Sequence, residues 1–184
     1  MITCNDQHQY NMDGRPVPSV TQILNDLFPM WKCDEWYMAR GSAVHACYEM
    51  MAKGIAFDCD PVCQPYVEGW IKWKQAVKPI LLSCEGVVGS VNHQYAGKFD
   101  AIAEIDGVRT LIDYKACKSA TVGHQLAAYA LAYEETTKVK INHGMGVTIN
   151  DEGRWSIEKY DLKKLRNEWI IVRSFYAIKQ RMGK

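Results

Sequence analysis

The stretch FDAIAEIDGVRTLIDYKA, residues 99 to 116, constrains the fold more than any other part of the chain. Phe99 to Ile105 and Val108 to Ala116 read as strands, and Asp106-Gly107 between them is a two-residue turn that favours a hairpin. Side chains alternate along a strand with period two, so Leu111, Asp113 and Lys115 share one face while Ile112 and Tyr114 share the other. The apolar flanks argue against an exposed edge. An acid and an amine carried into a buried sheet cost free energy that a purely structural strand would avoid.

The rest of the chain is built around that hairpin. Ser19 followed by Gln22 is a capping-box pattern that starts a short helix over 19–28 after the Pro16 and Pro18 turn. A second helix is expected over 34–53, interrupted at Gly41-Ser42 and stopped by Gly54, and an amphipathic one over 65–82, weakened at Pro79. Strands follow over 85–92, 95–105 and 108–116, giving a meander. A crossover helix over 120–135 covers it, further strands are expected over 140–149 and 154–160, and a long helix closes the chain over 161–182. In that last helix Leu162, Leu165, Trp169, Val172 and Tyr176 recur at helical spacing. The fold class is therefore α/β, a mixed central sheet of antiparallel meander plus crossover strand flanked by helices.

With 184 residues, 48% hydrophobic and 23% charged, the chain can bury one sizeable core and is short for two full domains. The net charge of +1 excludes a globally basic surface, so any contact with nucleic acid must come from local basic patches. The opening MITCNDQHQY lacks a basic segment followed by an apolar run, and no stretch approaches the roughly 18 apolar residues of a membrane span. A soluble, cytoplasmic protein without membrane partners is expected. Seven cysteines form an odd set without a CxxC pair, which points to free thiols and not to a disulfide framework or a zinc knuckle.

Polar residues recur around the hairpin at spacings that suit chemistry. If the Asp106-Gly107 turn sets the register, Asp100 and Asp113 lie on adjacent antiparallel strands, and hard oxygen ligands of this kind suit Mg²⁺ or Mn²⁺. Lys115 offsets their mutual repulsion and is placed to hold a water or a phosphate. His45 and Glu49 are four apart on the second helix and project from one face, with Gly41 allowing close approach of the helix backbone. Gln125 and Tyr129 have the same spacing on the crossover helix, where an amide and a phenol can reach a phosphate or the surroundings of a metal, or else simply pack the helix on the sheet. Trp31, Trp36, Trp70 and Trp73 fill a core or stack unpaired bases, core filling being the commoner use. His93, His124 and His143 read as solvated, as do the terminal-helix charges Lys163, Lys164, Arg166, Arg173, Lys179 and Arg181.

Read in order, Gly41, His45 and Glu49 (GxxxHxxxE), Gly97 and Asp100 (GxxD), Asp113 and Lys115 (DxK) and Gln125 and Tyr129 (QxxxY) resemble the RecB-like branch of the PD-(D/E)XK nuclease superfamily. PSVTQIL at 18–24 is also similar to the opening segment of phage and mitochondrial genome-maintenance exonucleases in that branch. The resemblance implies a restriction-endonuclease-like core and one nuclease domain over 1–184, with N-terminal helices over 19–82 and a catalytic core over about 41–150. It implies a Mg²⁺- or Mn²⁺-dependent phosphodiesterase acting on DNA, single- or double-stranded, most readily an exonuclease at DNA ends in phage replication, recombination or repair, alongside replication or recombination proteins. In that reading His45, Asp100, Asp113 and the backbone carbonyl of Tyr114 hold the metal, and Lys115 is the catalytic lysine. Glu49 binds a second metal or its water, while Gln125 and Tyr129 steady the DNA backbone or the metal site. No cysteine follows Cys117, so the iron–sulfur cluster of several relatives is not expected here. The rivals are a structure-specific or nicking endonuclease and a catalytically idle DNA-binding or assembly module with the same fold.

Overall fold

The computed structural model describes residues 2–5, 9–29 and 34–183, so Trp31 and Cys33 lie outside the described residues. The chain opens with a small antiparallel sheet that the sequence reading lacked: β1 (Ile2–Cys4), β2 (Tyr10–Met12) and β3 (Arg15–Val17). Asp13 and Gly14, both at positive φ, turn β2 into β3, as Asp106 and Gly107 do in the larger hairpin. Strands of three residues carry too little alternation to be seen as strands.

Helix α1 (Val20–Leu27) starts where the capping box places it, with the Ser19 hydroxyl accepting the Gln22 N–H at 2.9 Å. Helix α2 (Glu35–Lys53) is capped by Asp34 and ended by Gly54 in the left-handed conformation. It runs unbroken through Gly41-Ser42, where an interruption was expected, and the Ser42 hydroxyl, instead of competing for the helix backbone, donates to the Met38 carbonyl one turn back. Helix α3 (Gln64–Val77) stops five residues earlier than expected. Pro79 cannot continue it, Lys78 turns left-handed, and the apolar Ile80–Leu82 begins a strand instead.

That strand, β4 (Ile80–Ser90), leads a five-stranded sheet with β5 (Tyr95–Ile105), β6 (Val108–Lys115), β7 (His143–Ile149) and β8 (Trp155–Asp161), in sequential order. β4, β5 and β6 form the antiparallel meander, β6 and β7 are parallel through the crossover helix α4 (Val122–Thr137), and β8 returns antiparallel. This is the expected mixed α/β sheet flanked by helices. Among the described residues, no helix is long and apolar enough to cross a membrane.

Each face of the sheet has its own core. On one, α1, α4 and the terminal helix α5 (Leu162–Met182) cover Val88, Tyr95, Phe99, Ile102 and Leu111. Ala127, Ala128, Ala130 and Ala132 let α4 sit close to its neighbours, and the buried Tyr95 hydroxyl donates to the Ala128 carbonyl at 2.8 Å. On the other, α2 and α3 bring Val44, Tyr48, Trp70 and Trp73 against Ala101, Ile112 and Tyr114. Trp70 and Trp73 are thus core residues. Several terminal-helix cations hold the fold together and are not a free solvated face: Arg166 donates to Glu134 and to the Ile141 carbonyl, Arg173 to the Gln94 carbonyl, and Lys179 pairs with Asp26. His124 likewise meets Glu168 at 2.9 Å.

Candidate active site

The site grows from a fork in the sheet. The β5–β6 ladder runs from Ile105↔Val108 to Ala101↔Ile112 and stops there. Asp100 and Asp113 would be the next pair, but from this point β5 continues along β4, and β6 along β7 through Asp113↔Gly146 and Lys115↔Thr148. The side-chain alternation of β5 shifts at the same place, since Phe99 packs in one core and Ala101 in the other. A backbone donor that loses its strand partner needs another, and Asp100 Oδ2 accepts the Tyr114 N–H at 2.7 Å. The two aspartates therefore sit at the apex of the fork because the ladder ends between them.

Two helices supply its walls. From α2, His45 brings Nδ1 to 3.4 Å from Asp100 Oδ1. Lys115 Nζ donates to Asp113 Oδ1 at 2.8 Å, while Asp113 Oδ2, in a residue only 1% exposed, has no hydrogen-bond partner among the described residues. Glu49, one turn past His45, is tied to Lys53 at 2.5 Å. Gln125 and Tyr129 on α4 are both buried, and the Gln125 amide donates to the Tyr129 hydroxyl at 3.2 Å. Gly97 is what admits that tyrosine: a Cβ there would lie 2.5 Å from the Tyr129 ring. Gly41 has no such role, since a Cβ on it would meet nothing within 4 Å among the described residues.

The sequence reading missed Glu85. It lies on β4 directly across from Asp100, between the pairs Cys84↔Ala101 and Gly86↔Phe99. Its backbone is left-handed at φ 55°, which costs a non-glycine residue about 1–2 kcal/mol. Gly86 beside it leaves room for the Phe99 ring, which a Cβ would overlap at 2.2 Å. His45, Glu85 and Asp100 each offer a ligand atom within 4.8 Å of the others, a group in which Asp113 is not a member. Glu49, Glu85 and Asp100 also line a common cavity of about 10 Å³ together with Tyr48, Cys84 and Tyr114, room for about one water or small ion. The signal for Glu85 in the sequence was the Glu-Gly pair inside an apolar strand, a mark of a bulge or kink.

Electrostatics separate the two aspartates. Burial works against the Asp100 charge, but His45, Lys115 and the Tyr114 N–H more than offset it and hold the carboxyl below the ordinary aspartate range. Burial dominates at Asp113 and, with the Asp100 charge, outweighs Lys115, pushing the carboxyl up to about 6. Burial also disfavours imidazolium at His45, yet Asp100 raises its pKa to about 9. Burial raises Glu85 as well, against the pull of Lys98. His45, Glu85 and Asp100, with the orphaned Asp113 Oδ2 at the same fork, could hold a small divalent cation.

No family model matches the chain, and no curated protein matches it in sequence. Its structure is similar to that of LHK-Exo in complex with dAMP, with a TM-score of 0.47 and 10% identity over 91% of this chain and 89% of that one. It is also similar to a structure of LHK-Exo described as an alkaline exonuclease from Laribacter hongkongensis, with a TM-score of 0.37 and 8% identity over 90% and 92% of the two chains.

Proposed function

We propose that the chain is a metal-dependent nuclease of the PD-(D/E)XK superfamily that hydrolyses DNA phosphodiester bonds, and that it acts as an exonuclease on DNA ends. The observation that carries this reading is the fork, where Asp100, Asp113 and Lys115 converge with His45 and Asp113 Oδ2 is left unpaired among the described residues. The same residues are the ones through which the sequence resembles the RecB-like branch. End-processing is preferred because that branch is rich in exonucleases, and roles in phage replication, recombination or repair come with the same resemblance.

His45, Asp100, Asp113 and the Tyr114 carbonyl would hold the cation, with Glu49 beside them. When bound, Mg²⁺ or Mn²⁺ supplies Lewis acidity to the phosphoryl oxygen and makes a water acidic enough to attack near neutral pH. The protein's own part is orientation and charge. Asp113 aims the Lys115 ammonium through the 2.8 Å bond, and that ammonium donates to the attacking water and the scissile phosphate, lining them up for in-line displacement. Tyr129, held by Gln125, packs under Gly97 and supports the fork from the α4 side. Tyr37, Gly41, His45 and Glu49 follow one another at four-residue spacing along α2, and the exposed Tyr37 at the head of that row has the Arg40 guanidinium 5.0 Å from its ring centroid. Aromatic and arginine side chains in such a position suit stacking on unpaired bases.

The test uses end-labelled single- and double-stranded DNA with Mg²⁺, Mn²⁺ or chelator. Release of short products from linear DNA with the divalent ion, and no cutting of closed circles, is the expected result. Cutting of closed circles makes the protein an endonuclease, and DNA binding without cleavage under any of these ions makes it a binding module.

A further inference from the structure

The residues through which the chain resembles nucleases leave Glu85 without a role, yet the fold goes to some length to place it. Its carboxylate is within 4.8 Å of donor atoms on His45 and Asp100. Its backbone is left-handed in the middle of a strand, and strained residues of this kind cluster where a site needs a side chain aimed against the local geometry. It lines the same small cavity as Glu49 and Asp100. It is 13% exposed and is neutralised by Lys98, whose ammonium lies 2.5 Å away and is itself only 28% exposed. At the same fork, Asp113 Oδ2 stays buried and, among the described residues, unpaired.

We propose that Glu85 is a metal-holding carboxylate of this site, and that Lys98 is a stand-in cation that occupies its oxygen until the divalent ion arrives. The inference rests on the metal-dependent reading above and adds a residue from β4 to it. Three acids at one apex, Glu85, Asp100 and Asp113, repel one another in the metal-free protein, and the fold offsets this with three cations: His45 on Asp100, Lys115 on Asp113 and Lys98 on Glu85. His45 must become neutral to bind a metal, whereas Lys98 only has to let go. Once released, the Lys98 ammonium, two residues before Asp100 on β5, is free to meet a DNA phosphate beside the scissile bond. A merely structural role for the Glu85–Lys98 pair makes the two substitutions equivalent, since each breaks the same bond. The metal-holding role makes them opposite in sign.

Mn²⁺ binding to the full chain, followed by calorimetry and by the spin-resonance signal of free Mn²⁺, separates the two. Glu85→Gln is expected to weaken binding about tenfold or more, while Lys98→Met is expected to bind Mn²⁺ at least as tightly as wild type because its competitor has gone. Equal Mn²⁺ affinity in wild type and Glu85→Gln overturns the proposal, as does an equal loss in both variants. If Glu85→Gln does not fold, Glu85→Asp keeps the charge but shortens the reach, and wild-type affinity in that variant likewise overturns it. Wild-type protein that binds no Mn²⁺ overturns this inference together with the metal-dependent reading. Wild-type binding that is lost in Asp113→Asn yet untouched in Glu85→Gln overturns this inference alone.

Discussion

If His45 is a metal ligand as proposed, it ties stability to metal affinity. In the metal-free protein its imidazolium is held by Asp100, and its pKa rises to about 9 from an ordinary 6.5. A group whose folded pKa is raised contributes stability that is fully present below the unfolded value and is lost as pH climbs through the folded one. In chelator, the thermal midpoint should therefore fall between about pH 6.5 and pH 9, and His45→Asn should flatten that fall. Mn²⁺ affinity should move the other way over the same window, tightening by up to about tenfold per pH unit, because the ligand must shed its proton first. A midpoint that rises across this range, or a pH-independent Mn²⁺ affinity, would count against His45 as both the partner of Asp100 and a ligand. Asp100 lies below the ordinary range, but Asp113, near 6, still sheds its proton at the lower edge of the window, so the fall above about pH 7 is the part that reports on His45.

At the scale of elements, the two motif glycines part company. Gly97 is required by packing, since a methyl group there meets the Tyr129 ring at 2.5 Å. Gly41 is in the interior of α2, and a Cβ there would meet nothing within 4 Å among the described residues. Gly97→Ala should destabilise by about 1–3 kcal/mol through overpacking, whereas Gly41→Ala should stabilise by about 0.5–1 kcal/mol because alanine is the better helix former. Denaturant unfolding of both variants checks this pair of signs. If Gly41→Ala stabilises yet weakens DNA binding, the open space along α2 is where the substrate backbone passes.

The same elements show what can be read from sequence. The 95–105 and 108–115 strands were legible because apolar residues alternate on both sides of Asp106-Gly107, and that dipeptide takes the positive φ angles expected of it. The terminal helix was legible from the seven-residue recurrence of Leu162, Trp169 and Tyr176, all buried. What pattern alone could not show was the fork, because the end of a ladder leaves no mark in either strand. The resemblance pointed to its residues without giving their arrangement. Glu85 was hidden for a related reason: its backbone is left-handed there, so its facing depends on a backbone angle and not on alternation. The start of β4 at Ile80 was missed because apolar residues after Pro79 fit a fraying helix as well as a strand.

For the molecule as a whole, the site stands between two cores and depends on both. α4 and α5 hold one face of the sheet and α2 and α3 the other, so β5 and β6 can separate at Asp100 without the sheet coming apart. Trp169 is fully buried and meets Tyr95 edge to face at 5.1 Å, far along β5 from the hairpin turn. Trp169→Ala should cost about 3–5 kcal/mol, measured by denaturant unfolding, while the Mn²⁺ affinity of the remaining folded protein stays near that of wild type. A loss of metal affinity in proportion to stability would mean that the fork is not held independently by its own strands and α2.

The central claim is that Asp113 and Lys115 do different work at one phosphodiester. On the proposed mechanism, Asp113→Asn keeps the shape of the side chain but removes a charge that would hold the cation, and Lys115→Ala leaves the acids and removes the group that would position the nucleophile. The direct measurement is the cleavage rate of end-labelled linear DNA in Mn²⁺, taken with DNA affinity in chelator and the thermal midpoint of each variant. Both variants should fold and neither should cut. In chelator Asp113→Asn should hold DNA at least as well as wild type, having lost an acid that repels phosphate, while Lys115→Ala should hold it less well. A folded Asp113→Asn protein that cuts DNA at the wild-type rate would contradict the account.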